Sequence, residues 1–348
     1  MNIIKKALRM NWKEAWPLIK QGHKQSKRSY LDLIIDLYNC YKEGYNWGEY
    51  FIFGFQFNQN KEYRDTFVRG KVHFQMITDM FKVSDEGYNF FDDKGLFNHN
   101  FSDLKGIDTL DLRVNDFNDF KNFTKKHNEF FVKSATGDGG HEVKHICLKD
   151  IKVKLEVFFN QLIKDGLVIV EEKIIQHSEV AKLSVNAVNS IRIVTVKDIN
   201  GNIKAPFIAS RIATGYAHVD NCSLGGASCI LDSEGVVNYD YFANIPIIKY
   251  YDRNIITGFK FKGFKFPYFK ESISLCIEAA KRCESHFIGW DVAITENGPV
   301  LIEANRAPSF DLFQAKGQLE NNRGKLKELE EALGFKLSKN NFDTKEKK

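Results

Sequence analysis

The chain has 348 residues, 43% hydrophobic and 27% charged, with a formal net charge of +5. That length buries a sizeable core and suits two or three domains or subdomains, while no apolar run is long enough to span a bilayer. The modest positive excess comes without a Lys/Arg block, which argues against duplex nucleic acid and for anionic small molecules. The six cysteines form no CxxC pair. Cys276 and Cys283, seven apart, suit a buried face rather than a zinc site. With no secretory leader recognised, a reducing cytoplasm is expected.

Residues 1–20 form a basic amphipathic pattern. Ile3, Ile4, Ala7, Leu8, Trp12, Trp16 and Ile19 alternate with Lys5, Lys6, Arg9, Lys13 and Lys20. Such a helix packs on its own domain or lies on an anionic membrane surface, and packing is the expected outcome. Residues 1–45 read as helical, with Pro17 starting or breaking a turn. Residues 46–100 mix short aromatic-rich segments, and 1–90 are expected as a helical or mixed N-terminal region. Helices follow at 96–104 and 117–127, then a strand at 129–134, a flexible turn at 134–140 and a returning strand at 142–147. An amphipathic helix is expected over 148–165 and a short buried strand over 167–170. Strands at 189–196 and 203–213 flank the Asn200-Gly201 turn signal. Strands at 228–232 and 236–241 flank Ser233-Glu234-Gly235. Helices are expected at 270–285 and 311–334, with a polar, disordered tail over 336–348. The order reads as α+β with antiparallel hairpins.

The richest stretch runs from Gly289 to Asn305, two apolar alternating runs around an Asn-Gly turn. A three-residue loop at 296–298 would set Val292 opposite Ile302 and Ile294 opposite Val300. The other face then carries Asp291 opposite Glu303, with Asn305 two residues on. A one-residue slip would flip every side chain, so the apolar pattern selects this register. Like charges facing across a ladder are destabilising. Two carboxylates and an amide oxygen on one face therefore suit a hard cation such as Mg²⁺, which comes with substrate phosphates.

Other candidates are weaker alone. Lys133 ends a strand before Gly137, Asp138, Gly139 and Gly140, where backbone N–H groups could approach phosphate beside an ammonium. No Gly-Lys-Ser/Thr closes that loop, so it is no Walker A motif. Glu171, Glu172, Lys173 and Ile174 offer an apolar slot, backbone groups and acids suited to an adenine, or simply a strand emerging into solvent. Arg192 and Arg211 lie on the strands of one hairpin, placed near opposite ends. As clamps they would use bidentate forks. Residues 215–226 form a plausible mobile substrate loop. His141-Glu142-Val143-Lys144-His145 matches the HExxH signature of zinc proteases, which needs a helix. On a strand the histidines would lie about 13 Å apart, so a protease is a remote alternative.

Collected in order, these pieces resemble the ATP-grasp superfamily of carboxylate–amine ligases. Lys94 in Asp93-Lys94 resembles its first phosphate lysine and Lys133 its second. Glu171 to Ile174 resemble the adenine hinge between lobes, and Asp291, Glu303 and Asn305 its metal triad. From Gln176 onward the chain more closely resembles the sugar-transfer-associated ATP-grasp family. The segments are Val188 to Thr195, Val219-Asp220-Asn221 through Gly226, Gly263 to Tyr268, and Gly289 to Asn305. Many such ligases carry an arginine two residues before the metal aspartate, where this chain has Gly289. Arg192 and Arg211 are the candidate replacements.

The resemblance implies an α+β ATP-grasp fold whose lobes, 91–175 and 176–335, clamp ATP. It implies Lys94, Lys133, the glycine turn, Glu171 to Ile174 and Glu179 at the nucleotide, and Mg²⁺ on the triad. It places Arg192, Arg211 and Asn221 at the reacting groups. The implied reaction is ATP-dependent joining of a carboxylate to an amine through an acylphosphate, on a sugar, glycan or lipid-linked precursor. A phosphotransferase acting on a sugar hydroxyl and a catalytically silent nucleotide-binding module remain the alternatives.

Overall fold

The computed structural model describes residues 10–137, 143–185, 187–214 and 225–337. Helices α1 (Trp12–Ser26) and α2 (Tyr30–Lys42) form a hairpin, and Ser29 caps α2 by accepting from the Asp32 N–H. Pro17 lies inside α1 and does not end it. It removes one backbone donor near the helix start, where the neighbouring turns still hold. The segment expected as mixed is helical: α3 (Trp47–Ile52), α4 (Lys61–Arg64), α5 (Gly70–Met80) and α6 (Asp85–Asp92). A capping box of Asn46 and Glu49 starts α3, satisfying donors that a helix start otherwise leaves bare. The aromatic runs fill this region: Tyr45, Tyr50, Phe51, Phe53, Phe55 and Phe67 are buried together with Phe242 and Ala315 from the far side of the chain. The Gln21 amide donates to the Ile248 carbonyl (2.6 Å) and accepts from the Ile248 N–H (3.0 Å). The N-terminal helices thus share their core with the large sheet.

The expected 96–104 helix is two short ones, α7 (Lys94–Asn100) and α8 (Ser102–Lys105). Asp93 caps α7 through the N–H groups of Gly95 and Leu96. A four-stranded antiparallel sheet follows, in the order β1-β4-β2-β3: β1 (Thr109–Asp111), β2 (Glu129–Lys133), β3 (Val143–Cys147) and β4 (Ile169–Glu172). Helices α9 (Phe117–Lys126) and α10 (Leu155–Lys164) cover it, packing Phe120, Phe123, Phe159 and Leu162 on Phe130, Val132 and Val170. The helix expected from 148 begins at Leu155, after a single tight turn at Leu148–Asp150.

A short helix α11 (Ser178–Ala181) leads into a seven-stranded antiparallel sheet, ordered β11-β10-β5-β6-β7-β8-β9. Its strands are β5 (Ser190–Lys197), β6 (Ile203–Ile212), β7 (Ala227–Ile230), β8 (Tyr241–Ala243), β9 (Lys249–Tyr251), β10 (Phe287–Thr295) and β11 (Gly298–Asn305). The strand expected at 236–241 reduces to an isolated Leu231–Val237 bridge, with β8 beginning at Tyr241. Asp232 explains this: its carboxylate accepts from the Glu234 and Val236 N–H groups and locks a turn there. Helix α12 (Phe269–Lys281) packs on one face, around fully buried Trp290, Cys276 and Ile288, with Cys283 just beyond the helix also buried. The other face holds Val194, Phe207, Phe310 and Leu329. The helix expected over 311–334 is only α13 (Leu326–Leu333), preceded by two short 3₁₀ turns. Leu337, read as tail, is buried in this second core. No helix among the described residues is long and apolar enough to cross a membrane.

The β10–β11 hairpin departs from expectation in one respect. Thr295 pairs with Gly298, so the loop is the two residues Glu296 and Asn297. Val292 then faces Leu301, and Ile294 faces Pro299, rather than Ile302 and Val300. Ile302 is an extra, bulged residue that restores the pairing of Asp291 with Glu303 and of Gly289 with Asn305. The apolar alternation is preserved on both sides of the bulge, which is why the carboxylates still share a face.

Candidate active site

A cleft of about 630 Å³ lies between the two sheets, lined among others by Lys94, Lys133, Gly137, Glu171, Arg192, Arg211, Glu303, Asn305 and Asp311. On its large-sheet wall, Arg192 pairs directly with Asp291 across β5 and β10. Its Nε and Nη2 grip the two carboxylate oxygens, Nη2 at 2.9 Å, and Arg211 Nη1 reaches Oδ2 at 3.0 Å. The arginines therefore converge, contrary to the expectation that they lie at opposite ends of their hairpin. Ser190 pairs with Arg211 and Arg192 with Ala209, so both sit at the open end as diagonal neighbours on one face. Gly289 has no room for the arginine common at that position. A Cβ there would meet Pro308 Cβ at 2.6 Å and Arg192 Cδ at 3.4 Å.

Asp291 is buried, which opposes ionisation, yet Arg192 and then Arg211 hold its carboxyl far below the ordinary range. Glu303 behaves oppositely. It keeps solvent contact through the cleft, but protein surrounds it and the Asp291 carboxylate faces it, and its carboxyl is pushed up to about 7. Asn305 Nδ2 lies 3.5 Å from Glu303 Oε1, confirming one face. Glu303 and Asn305 thus offer oxygens to the cleft, where a hard cation would relieve the repulsion. Asp291 differs: both its oxygens already accept from arginine.

The opposite wall rests on Glu171. Its Oε2 lies 2.6 Å from Lys133 Nζ and its Oε1 2.9 Å from Lys105 Nζ, with Asn98 Nδ2 at 3.4 Å. Lys133 pairs with Ile169 and Phe131 with Glu171, so Lys133 and Glu171 share a sheet face. Burial alone would raise Glu171, but the two ammonium groups outweigh it and hold the carboxyl at about 2. Glu171 therefore anchors two lysines. Lys105, 1% exposed, also hydrogen-bonds Asn98 Oδ1 and reaches the Ile302 carbonyl on the other wall at 3.5 Å. Burial lowers its pKa, with Glu171 opposing. Lys94 Nζ donates to the Gly137 carbonyl (2.7 Å) and its N–H to the Ala135 carbonyl (2.8 Å), tying α7 to the start of the glycine turn.

The remaining candidates fall elsewhere. Glu172 points away from the cleft: its Oε2 accepts from the Asp108 N–H at 3.0 Å. Lys173 pairs with Glu129 at 2.6 Å, and Glu179 with Lys182 at 2.6 Å. Ile174 follows β4, outside the sheet. None of these four lines the cleft. Asp138, Gly139, Gly140 and Asn221 lie outside the described residues, as do His141 and Glu142. His145 is on β3, half-exposed beside Glu129 at 3.2 Å, so HExxH has no helix at its second histidine. Sequence reasoning missed Lys105, Asn98 and Asp311. Asp311, whose carboxyl burial raises, bonds Ser309 at the cleft edge.

The family described as sugar-transfer associated ATP-grasp matches residues 58–331. No curated protein matches in sequence. Among solved structures, the chain is similar to the ATP-grasp ligase PsnB complexed with a minimal precursor, at 13% identity and TM-score 0.41, covering 68% of this chain and 59% of that one. It is also similar to D-alanine-D-alanine ligase from Coxiella burnetii, at 15% identity and TM-score 0.38, covering 72% and 55%. The chain thus spans less than two thirds of the length of either.

Proposed function

The chain belongs to the sugar-transfer associated ATP-grasp family, and from that premise we propose that it is an ATP-dependent ligase that joins a carboxylate to an amine through an acylphosphate. The acceptor or donor would be a sugar or a cell-surface glycan precursor. The observation that carries this reading is the cleft itself. Cations of two kinds, Lys94 with Lys133 on one wall and Arg192 with Arg211 on the other, face each other across a volume closed by Glu303 and Asn305.

In this reading, Lys133 and Lys94 bind the phosphates, with Glu171 and Lys105 fixing the Lys133 ammonium from behind. Ammonium groups serve well here as point charges. The backbone after β4 receives the adenine. Glu303 and Asn305 hold Mg²⁺, and Asp291 supports them while orienting the arginines. Bound there, the ion would neutralise charge developing on the phosphoryl oxygens. Arg192 and Arg211 present guanidinium N–H groups, which stabilise the transferring phosphoryl or the oxyanion formed when the amine attacks. No protein nucleophile is required. Asn221, which falls between β6 and β7 in the sequence, is proposed to contact the reacting groups.

The test is ADP release screened across amino acids and sugar acids, with products identified. ADP, free phosphate and an amide support the ligase. ADP with a stable phosphoester would make the protein a phosphotransferase, and nucleotide binding without turnover a silent module.

A further inference from the structure

We propose that the outer face of the α1–α2 hairpin docks on an anionic phospholipid bilayer. The inner face of this hairpin accounts for Ala15, Leu18, Ile19, Leu33 and Leu37, all buried. The outer face is the unusual one. Leu31 is 69% exposed and Ile35 52% exposed, one helical turn apart on α2. Tyr30 (39%), at the start of α2, and Trp16 (37%) extend the apolar strip onto α1. Their rings stack at 5.5 Å, and His23 continues the stack on Tyr30 at 4.1 Å. Single exposed apolar residues are ordinary, but a contiguous strip marks an interaction surface.

Charge selects the partner. On α1 and its C-cap, Lys13, Trp16, Lys20, Lys24 and Lys27 recur at helical spacing, so the lysines flank the tryptophan on one face. Lys20 Nζ lies 5.8 Å from the Trp16 ring and, on α2, Lys42 Nζ lies 5.0 Å from the Tyr38 ring. None of these lysines has a carboxylate within ion-pair distance among the described residues, whereas Arg28 is tied to Asp32 and Asp36. Apolar side chains that insert, aromatic rings suited to the headgroup layer and unpaired ammonium groups around them form a bilayer-surface pattern. A protein partner would need acids to match this ring of lysines. The hairpin is pinned through Gln21 to Ile248, three residues beyond Ile245 at the cleft edge. The inference stands whether or not the ligase reading does.

The test is co-sedimentation of the full chain with vesicles of phosphatidylcholine alone or enriched in phosphatidylglycerol. Binding is expected only to the anionic vesicles and weakens with salt. Lys20→Glu with Lys24→Glu lowers the apparent affinity by roughly twentyfold or more. Leu31→Glu with Ile35→Glu lowers it by roughly a hundredfold. The melting temperature stays unchanged, since these side chains are exposed, and so does ADP formation with soluble substrates. Equal binding to both vesicle types overturns the proposal, as does no binding to either. It also fails if Leu31→Glu splits a dimer in size-exclusion chromatography and leaves vesicle binding untouched.

Discussion

Asp36 and Asp291 are held in nearly the same way, in two different places. Arg64 grips both oxygens of Asp36 at 2.8 and 2.9 Å, Arg28 adds a contact at 2.8 Å, and the Tyr50 hydroxyl donates at 2.8 Å. Arg192 grips both oxygens of Asp291, and Arg211 adds the next contact. Around Asp36 the set is closed: Asp32 takes the other edge of Arg28, and aromatic side chains pack outside. Around Asp291 a second acid, Glu303, faces the first, and the arginines line an open cleft. The same double clamp thus closes a structural brace at Asp36 and leaves charge facing the candidate site at Asp291. Completeness marks the brace in the helices, and surplus charge marks the site.

The sharpest way to break this comparison is Glu303→Ala. It removes the surplus acid and should lower ADP formation by roughly a thousandfold, with the melting temperature unchanged or raised. An active, folded variant would remove the cation assignment. Next come Asp291→Ala and Asp36→Ala, which each leave buried arginines without their partner. Both should lose about 3–5 kcal/mol in chemical denaturation. Only Asp291→Ala should also abolish turnover per folded molecule, and equal turnover loss in both would erase the distinction.

The acid limb sharpens the contrast further. Burial raises the Asp36 carboxyl, but Arg64, Arg28 and Tyr50 outweigh it and hold it at about 2. Its stabilisation is complete above the unfolded value near about pH 4 and is lost as pH falls through about 2. Wild type should lose about 2 kcal/mol across that window, and Asp36→Asn should lack this component, measured by denaturation at each pH. The smallest effect is expected from Lys105→Met. Lys133 keeps its charge but loses the fixed Glu171, so KM for ATP rises about tenfold while kcat changes less.

Much of the site was legible because sheets impose a period of two. Apolar alternation alone put Asp291 opposite Glu303 and Asn305 beside it, even though the loop is shorter and Ile302 bulges. The same period separates Glu171 from Glu172 onto opposite faces, a signal present in the sequence and not used. The convergence of Arg192 and Arg211 required counting outward from the 198–202 turn, which places both at the far end. Lys105, Asn98 and Asp311 left no such trace. Lys105 is buried only because elements distant in sequence meet there, and nothing in a four-residue helix marks one lysine as internal. The helix misread at 311–334 fails for a related reason. Its apolar residues contact the sheet from irregular turns, and their spacing imitates a helical face.

The bulge at Ile302 does more than rescue a register. A bulge turns its carbonyl out of the ladder, and here that oxygen is the one on which the ammonium of Lys105 rests. Lys105 belongs to the opposite wall, through Glu171. This contact joins the two walls of the cleft, alongside Phe101 packed on Trp290 and Arg282 paired with Asp103. Straightening the strand at Ile302 would therefore withdraw one support of the buried Lys105 ammonium at the same stroke as it shifts the pairing of Asp291 with Glu303.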